Sequence, residues 1–304
     1  ISAKAWSQIF NVNQPLVTEL ITSIINNTMP EPVRVLLAGT NYSTLKYNIS
    51  PTPNEEKYRM IGSLDSLHKI AANYMLATYE KTIKQLSTHT MGDYAVSQPH
   101  GITKFYYKLQ TLLQQPNTKQ VALKIDITSA YPNSSRLHIR QQLAKYLPTF
   151  IPIFDSLYKT PNEHQLLTSD QGPTTVTQHT GIIVGSELSS LFFMLLSDIP
   201  LQHNRQYWQS HLTKYADDIT LVGTPRQVVI YYNTLKTEYE KIHLNFSPLK
   251  THAYSPNIDP TDNANQLKFI KDSIRECNIH DDGLTILGIP LGTDEYIAQS
   301  LNDK

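Results

Sequence analysis

Acidic residues at the ends of apolar β segments constrain the fold of this chain more than any other feature. Residues 121–125 are a short apolar run that predicts a buried strand, and Asp126 follows directly. Residues 211–215 and 219–222 are β-rich, and Ala216-Asp217-Asp218 between them predicts a hairpin with acids at its turn. Asp-Gly or Asn-Gly is usual at such a turn, whereas two adjacent acids repel each other. We therefore expect positive charge nearby to compensate them.

The rest of the chain mixes helical and strand patterns without regular alternation. Apolar residues at helical spacing predict helices over residues 63–85, 102–113, 134–146, 187–197 and 226–242. Residues 31–60 carry prolines among polar residues and predict strands or loops, and residues 267–292 predict two strands around Asp281-Asp282-Gly283. The sequence therefore predicts an α+β fold with a mainly antiparallel sheet.

Charge, hydropathy and cysteine content narrow the partners and the location that this chain can have. Lys plus Arg equals Asp plus Glu at 26 each, so nucleic acid would have to be bound by local placement of charge. No apolar run approaches membrane-spanning length, and we expect no membrane partner. A single cysteine, Cys277, is typical of a reducing, intracellular location, with nucleus and cytoplasm both left open.

Other common chemistries lack their motifs. The chain has no Gly-x-x-x-x-Gly-Lys, Gly-x-Gly-x-x-Gly or Gly-x-Ser-x-Gly sequence, which disfavours P-loop, dinucleotide-binding and hydrolase classes. No two histidines stand three or four residues apart, and Cys277 with His280 is an isolated couple. Structural zinc is therefore not expected.

The acids themselves indicate metal-ion chemistry. We expect Asp126 and Asp217 to lie side by side on adjacent strands and to hold two Mg²⁺ ions, with Mn²⁺ as an alternative. Two such ions could activate an attacking hydroxyl and stabilise a leaving pyrophosphate in an in-line displacement.

Several segments resemble motifs of the reverse transcriptases, in the order of that family. Residues 124–131 (KIDITSAY) resemble motif A, and residues 215–218 (YADD) resemble motif C. The further matches are motif B at 181–192, motif D at 244–251, the primer-grip hairpin at 287–292 and the fingers segment at 58–61 and 67–70. The resemblance covers about residues 55–295, and the run LGIPLGTDE is most similar to non-LTR retrotransposon reverse transcriptases.

The resemblance implies a right-hand polymerase with fingers and palm, in which the palm has a four-stranded antiparallel sheet backed by helices. Fingers are expected at residues 1–115, with 147–180 also contributing, and the palm at 116–146 and 181–304, including the primer-grip hairpin. We expect no thumb in this segment. The implied function is that of an RNA-directed DNA polymerase of a retroelement, which adds deoxynucleotides to a primer 3′-hydroxyl. Its partners would be an RNA template, a DNA or RNA primer and deoxynucleoside triphosphates, with further domains of a larger polyprotein left open.

The resemblance also implies a role for each candidate site residue. Asp126, Asp217 and Asp218 would hold the metal ions, together with the backbone of Ile127, and Lys250 would protonate the departing pyrophosphate. The residues implied in substrate binding are Tyr131 as the steric gate against a 2′-hydroxyl, Arg59 and Lys69 on the triphosphate, and Gly185 at template or nucleotide.

Simpler interpretations of the same residues stay open. Tyr131 could be a core tyrosine, Gly185 a glycine before a helix, and the three basic side chains solvated surface charges. Val184 departs from the family, which usually has glutamine before this glycine.

Two rival functions also stay open. The chain could be a catalytically silent, polymerase-like module that binds RNA or protein, although the intact acids argue against that. It could instead be an RNA-dependent RNA polymerase or a terminal transferase, which the bulky Tyr131 disfavours.

Overall fold

Contacts along the chain divide it into two units, each built from two stretches of sequence. The first unit comprises Ile1–Glu80 and Tyr131–Phe192, and the second comprises Lys81–Ala130 and Phe193–Lys304. The structure is a computed structural model that describes residues 8, 13–38, 41–48, 57–114, 120–166, 174–256 and 260–302.

Helices and strands alternate irregularly along the chain. The helices are α1 (Gln14–Ile25), α2 (Glu31–Ala38), α3 (Ser66–Thr78), α4 (Glu80–Gln85), α5 (Gly101–Leu113), α6 (Arg136–Tyr146), α7 (Ile151–Tyr158), α8 (Ser189–Ser197), α9 (Arg205–His211), α10 (Pro225–Glu240), α11 (Pro260–Ser273) and α12 (Asp294–Asn302). The strands are β1 (Asn41–Asn48), β2 (Lys57–Ser63), β3 (Val121–Ile125), β4 (Asn162–Leu166), β5 (Thr174–Gln178), β6 (Leu212–Tyr215), β7 (Asp218–Gly223), β8 (His252–Tyr254), β9 (Asn278–His280), β10 (Gly283–Ile286) and β11 (Ile289–Gly292).

The first unit combines a mixed sheet with a helical core. Its strands run in the order β2-β1-β4-β5, with β1 and β4 parallel and the two outer pairs antiparallel. Helix α1 packs against α3 and α7. The core of this unit is apolar, with buried side chains that include Leu67, Met75, Ile139, Phe150, Phe154 and Phe192.

The second unit is organised around strand β3. Its five-stranded sheet has the order β6-β7-β3-β8-β9, and β3 pairs antiparallel with both β7 and β8. Helix α5 and the hairpin β10–β11 share one apolar cluster with β3, β7 and β8. Helix α10 contacts β3 and β7 as well. Val121, Leu123 and Ile125 are fully buried on one face of β3, and Ala122 is fully buried on the other, so the strand is a nearly continuous apolar run rather than an alternating one.

The predicted fold class is confirmed, since the molecule is α+β with a mainly antiparallel sheet backed by helices. The predicted strand β3, the hairpin β6–β7 and helices α5, α6, α8 and α10 are present. The sheet has five strands rather than four, because β9 adds to β8 in parallel. The segment 63–85 forms two helices, α3 and α4, that meet at Tyr79.

Two segments that were predicted to have no helix each contain all or part of one. Residues 31–60 begin with helix α2, and residues 267–273 complete helix α11, which is followed by three strands rather than two. Both helices have proline in the first turn, at Pro32 and Pro260. Proline is tolerated there because the first helical N–H groups have no partner within the helix, so it is no sign of a break.

The units divide the chain after Glu80, Ala130 and Phe192, whereas the sequence placed the boundaries of fingers and palm near residues 115, 146 and 180. The contacts assign no function to either unit, so the names fingers and palm stay predictions. Each helix in the described part of the chain is too short or too polar to cross a bilayer.

Truncation of Leu123 tests the role of β3 as the centre of the second unit. Leu123→Ala should lower the free energy of unfolding by about 3 kcal/mol, since it leaves a cavity under a fully buried side chain. Ile230→Ala on α10, where the side chain is 60% exposed, should change it by less than about 0.5 kcal/mol. Urea denaturation of both variants measures the difference, and equal losses would contradict this position for β3.

Candidate active site

The register of β3 against β7 places two of the predicted acids opposite each other. Ile125 pairs with Ile219, the last pair at this end of the ladder. Continued by one residue beyond the end of β3, the same register places Asp126 opposite Asp218. Directly opposed residues of an antiparallel pair point to the same face, so both carboxylates extend from one face at the end of the sheet.

Asp217 enters the same site from the hairpin turn. Tyr215 pairs with Asp218, which leaves Ala216 and Asp217 as a two-residue turn. Ala216 has φ of 53°, in the left-handed region that short hairpins use at the first turn position. The turn therefore brings Asp217 to the end of the sheet beside Asp218.

The backbone of Ile127 continues the line of β3. Ile127 forms an antiparallel bridge with Phe246, and the hydrogen bonds flanking it are Ser247 N–H to the Asp126 carbonyl, 2.9 Å, and Thr128 N–H to the Asn245 carbonyl, 2.8 Å. Because successive carbonyls along a strand alternate in direction, the Ile127 carbonyl points away from the Phe246 strand. This direction is compatible with the predicted backbone ligand.

Two lysines balance part of the negative charge. Lys250 Nζ lies 3.3 Å from Asp126 Oδ2, and Lys124 Nζ lies 3.9 Å from Asp218 Oδ1. Burial raises the pKa of Asp218, and the charges of Asp217 and Asp126 raise it further, while Lys124 opposes them. The acids therefore repel one another even with the lysines present.

The carboxylate oxygens of Asp126, Asp217 and Asp218 are of the kind that binds a hard divalent cation. Their side chains are not yet gathered around one point, since no group of three or more histidine, cysteine or acidic side chains in the described residues is close enough to form a ready metal site. Asp126 and Asp218 are each about one-third exposed. Carboxylate oxygens grouped at an accessible edge are the ligands that Mg²⁺ prefers.

The other predicted site residues belong to the first unit. The Tyr131 carbonyl accepts hydrogen bonds from Ile182 N–H, 2.9 Å, and Ser134 N–H, 3.2 Å, which joins the end of motif A to the start of motif B. Lys69 is half-buried on α3. Arg59 is described as a backbone position on β2, paired with Lys46, and its side chain lies outside the described part.

Gly185 makes its close approach within the protein. It is exposed and has φ of 99°, and a Cβ there would lie 2.7 Å from the Gly62 carbonyl oxygen. The neighbouring Gly62 N–H donates to the Val184 carbonyl at 2.8 Å. The motif B segment is thus joined to β2 by backbone contacts that leave no room for a side chain.

Sequence reasoning missed two cationic residues that shape these segments. Lys124 was read only as part of motif A, and an i, i+2 spacing from Asp126 could have placed both on one face of the strand. Arg136 donates to the Gly181 carbonyl and to Asn162 Oδ1, both at 2.8 Å, and so anchors the start of motif B. Nothing local marks Arg136, because its partners are distant in sequence.

Solved structures with a similar fold include telomerases. Telomerase from Candida albicans, in a complex with the TWJ fragment of telomeric RNA, matches with a TM-score of 0.52 and 13% identity, over 88% of this chain and 46% of that one. Apo telomerase from Candida tropicalis matches with a TM-score of 0.52 and 10% identity, over 83% of this chain and 47% of that one. This chain thus spans about half the length of these proteins, and the likeness defines its fold as that of the right-hand polymerases.

The family follows from the sequence. The model of the family described as reverse transcriptase (RNA-dependent DNA polymerase) matches residues 50–291. The chain therefore belongs to the reverse transcriptase family. The search of curated proteins found no match.

The Gly185 contact gives a stability test. Gly185→Ala should destabilise the protein by about 2–4 kcal/mol, because it adds a collision to an unfavourable backbone conformation. Gly92→Ala is the matched control, since Gly92 also has positive φ, 60°, but nothing lies within 4 Å of an added Cβ. It should cost about 1 kcal/mol, from backbone strain alone. Thermal unfolding compares the two, and an equal loss would show that the contact with Gly62 does not constrain the segment.

Proposed function

We propose that this chain is the polymerase core of a retroelement reverse transcriptase, which copies an RNA template by adding deoxynucleotides to a primer 3′-hydroxyl. The observation that carries the proposal is the register of β3 and β7, which brings Asp126 and Asp218 together beside Asp217. Membership of the reverse transcriptase family supports it. The retroelement origin rests on the similarity of residues 287–295 to non-LTR retrotransposon polymerases.

Asp126 and Asp217 would hold two Mg²⁺ ions, with Asp218 and the Ile127 carbonyl completing the site and Mn²⁺ as a substitute. When bound, the ions would acidify the primer hydroxyl and neutralise charge on the leaving pyrophosphate. The protein's part is to hold its oxygens at one end of a rigid, buried sheet. Lys124 and Lys250 limit the repulsion among the carboxylates.

Lys250 is the proposed general acid for pyrophosphate. Its side chain is 55% exposed and lies 3.3 Å from Asp126, so it borders the acids and has freedom to move. When the substrate binds, Lys250 would leave Asp126 and pair with the triphosphate. It would then give its proton to the leaving oxygen.

The residues of the first unit would bind the nucleotide and template. Tyr131 would exclude a 2′-hydroxyl, Arg59 and Lys69 would pair with the triphosphate, and Gly185 would keep the motif B segment close to β2. We assign fingers to residues 1–115 and 147–180, and palm to residues 116–146 and 181–304, so Arg59 and Lys69 would belong to the fingers and Tyr131 and Gly185 to the palm.

Removal of one carboxylate tests catalysis. Asp217→Asn should reduce primer extension on an RNA template about 1,000-fold or more, because several kcal/mol of transition-state charge stabilisation are lost. Asp272→Asn, an exposed acid on α11, is the control and should retain activity. Incorporation of labelled deoxynucleotides with Mg²⁺, and with EDTA in its place, provides the measurement.

Each rival function has its own outcome in this assay. Metal-independent RNA binding without extension would indicate a silent binding module. Extension that continues without any template would indicate a terminal transferase. Extension that prefers ribonucleotides would indicate an RNA-dependent RNA polymerase.

The sugar preference tests Tyr131. Tyr131→Ala should raise kcat/KM for ribonucleotides relative to deoxynucleotides by at least about tenfold, since the blocking ring is gone. Tyr74→Ala, which removes an exposed tyrosine from α3, is the control and should leave the ratio unchanged. An unchanged ratio in Tyr131→Ala would instead support a core role for this tyrosine.

A further inference from the structure

A buried ion pair lies beside the YADD hairpin. Asp93 and Lys214 have no solvent-exposed side-chain surface, and Lys214 Nζ lies 3.4 Å from Asp93 Oδ2. Lys214 immediately precedes Tyr215 on β6, whereas Asp93 comes from the segment before α5. Burying two charges costs several kcal/mol each before their attraction is counted, so a purely apolar pair would serve stability as well.

Asp93 reaches the turn that carries Asp217. Asp93 Oδ1 accepts a hydrogen bond from the N–H of Ala216, 3.3 Å, and another from the N–H of Ala95, 2.8 Å. Ala216 has φ of 53°, which is unfavourable for a residue with a Cβ. Such a conformation persists only where its surroundings fix it, and the buried carboxylate holds the N–H of this residue.

The backbone beside Asp93 also secures the strand. Strand β6 lies at the edge of its sheet, and residues 93 and 94 run along that edge. Asp93 forms a parallel bridge with Lys214, and Tyr94 N–H donates to the Lys214 carbonyl at 3.1 Å. The hairpin is thereby held on the side opposite β7, up to the turn.

Lys214 ties this arrangement to the helices of the unit. Its Nζ donates to Ser197 Oγ at 2.8 Å, and the Ser197 carbonyl accepts from the Tyr239 hydroxyl at 2.9 Å. Ser197 ends α8, and Tyr239 lies on α10. The turn is therefore connected through buried polar groups to two helices.

From this geometry we infer that Asp93 is a positioning residue for the polymerase reaction. It fixes Ala216 in the left-handed conformation and so sets the direction of the Asp217 carboxylate. The Asp93 side chain contacts Lys214 and the N–H groups of Ala95 and Ala216, and it acts on Asp217 through the Ala216 N–H. The inference rests on the proposed function for its effect on activity, whereas its effect on the turn can be measured without activity.

Two neutral double variants separate positioning from charge burial. Asp93→Asn with Lys214→Met keeps an oxygen that can accept from Ala216, and Asp93→Leu with Lys214→Met has a similar size but no acceptor. Neither leaves an unpaired buried charge. Primer extension at varied Mg²⁺ and nucleotide gives kcat, KM and the Mg²⁺ requirement, and thermal unfolding gives stability.

We expect kcat of the Leu variant to be at least tenfold below that of the Asn variant, with a higher Mg²⁺ requirement and nucleotide KM within twofold. Adding Ala216→Gly to the Leu variant should recover at least threefold in kcat, because glycine adopts positive φ without strain. Equal kcat and Mg²⁺ requirement in the Asn and Leu variants would overturn the inference.

Ser197→Ala is the control for stability. It removes the hydrogen bond from Lys214 but leaves the bond from Ala216 N–H to Asp93 and the bond from Tyr94 N–H to the Lys214 carbonyl. It should therefore lower the melting temperature while kcat stays within twofold. A loss of kcat in Ser197→Ala as large as that in the Leu variant would reduce Asp93 to a stability role.

Hydrogen exchange keeps the inference testable if the protein does not extend primers or the Leu variant does not fold. The Ala216 amide of the unmodified protein should exchange at least 100-fold more slowly than an unprotected amide. Fast exchange there, with the β3 amide of Leu123 still protected, would overturn the positioning role. Inactivity with a protected Ala216 amide would contradict only the proposed function.

Discussion

The candidate site depends on the pairing of one buried strand with its neighbours. Val121, Leu123 and Ile125 are fully buried, and these apolar contacts hold β3 in register with β7 against the repulsion among the acids that follow. A slip of one residue would turn Asp126 to the other face of the sheet and separate it from Asp218. Hydrophobic burial thus supplies the free energy that keeps like charges together.

Electrostatics then decides what this end of the sheet can bind. The raised pKa of Asp218 reflects burial and the nearby charges of Asp217 and Asp126, and Lys124 offsets only part of it. Lys250 lies against Asp126 from a largely exposed position, and it can leave when a cation arrives. Divalent ions bound at the same carboxylate oxygens would neutralise their charge more strongly than the mobile Lys250 side chain does.

The sequence predicted the elements whose signals are local. Strand β3, the hairpin β6–β7 and helix α5 follow from runs of apolar residues bounded by turn residues, and the acids stand out because they interrupt those runs. Helix α2 was mispredicted because the prolines of residues 31–60 were read as breaks, although Pro32 lies in a first turn. The end of helix α11 was mispredicted because residues 267–292 were read as two strands. The parallel pairing of β9 involves residues 252–254 and 278–280, and no local pattern specifies it.

The parts of the site that the sequence did not predict depend on distant contacts. Lys214 looks like an ordinary polar residue of a hairpin strand, yet it is fully buried against Asp93, more than a hundred positions away. Arg136 likewise donates to carbonyls that only the folded chain brings near. The family motifs identified the acids because each acid lies in a short run of characteristic residues, whereas their supporting residues have no such pattern.

Direct observation of metal binding by Asp126 and Asp217 tests the central claim. Electron paramagnetic resonance of Mn²⁺, with primer–template and a non-hydrolysable deoxynucleotide, reports how many ions bind and whether they lie close enough to couple. We expect two coupled ions in the unmodified protein, with coupling lost in Asp126→Asn and in Asp217→Asn. Mn²⁺ binding that is absent, or unchanged by both substitutions, would contradict a two-metal site at the end of this sheet.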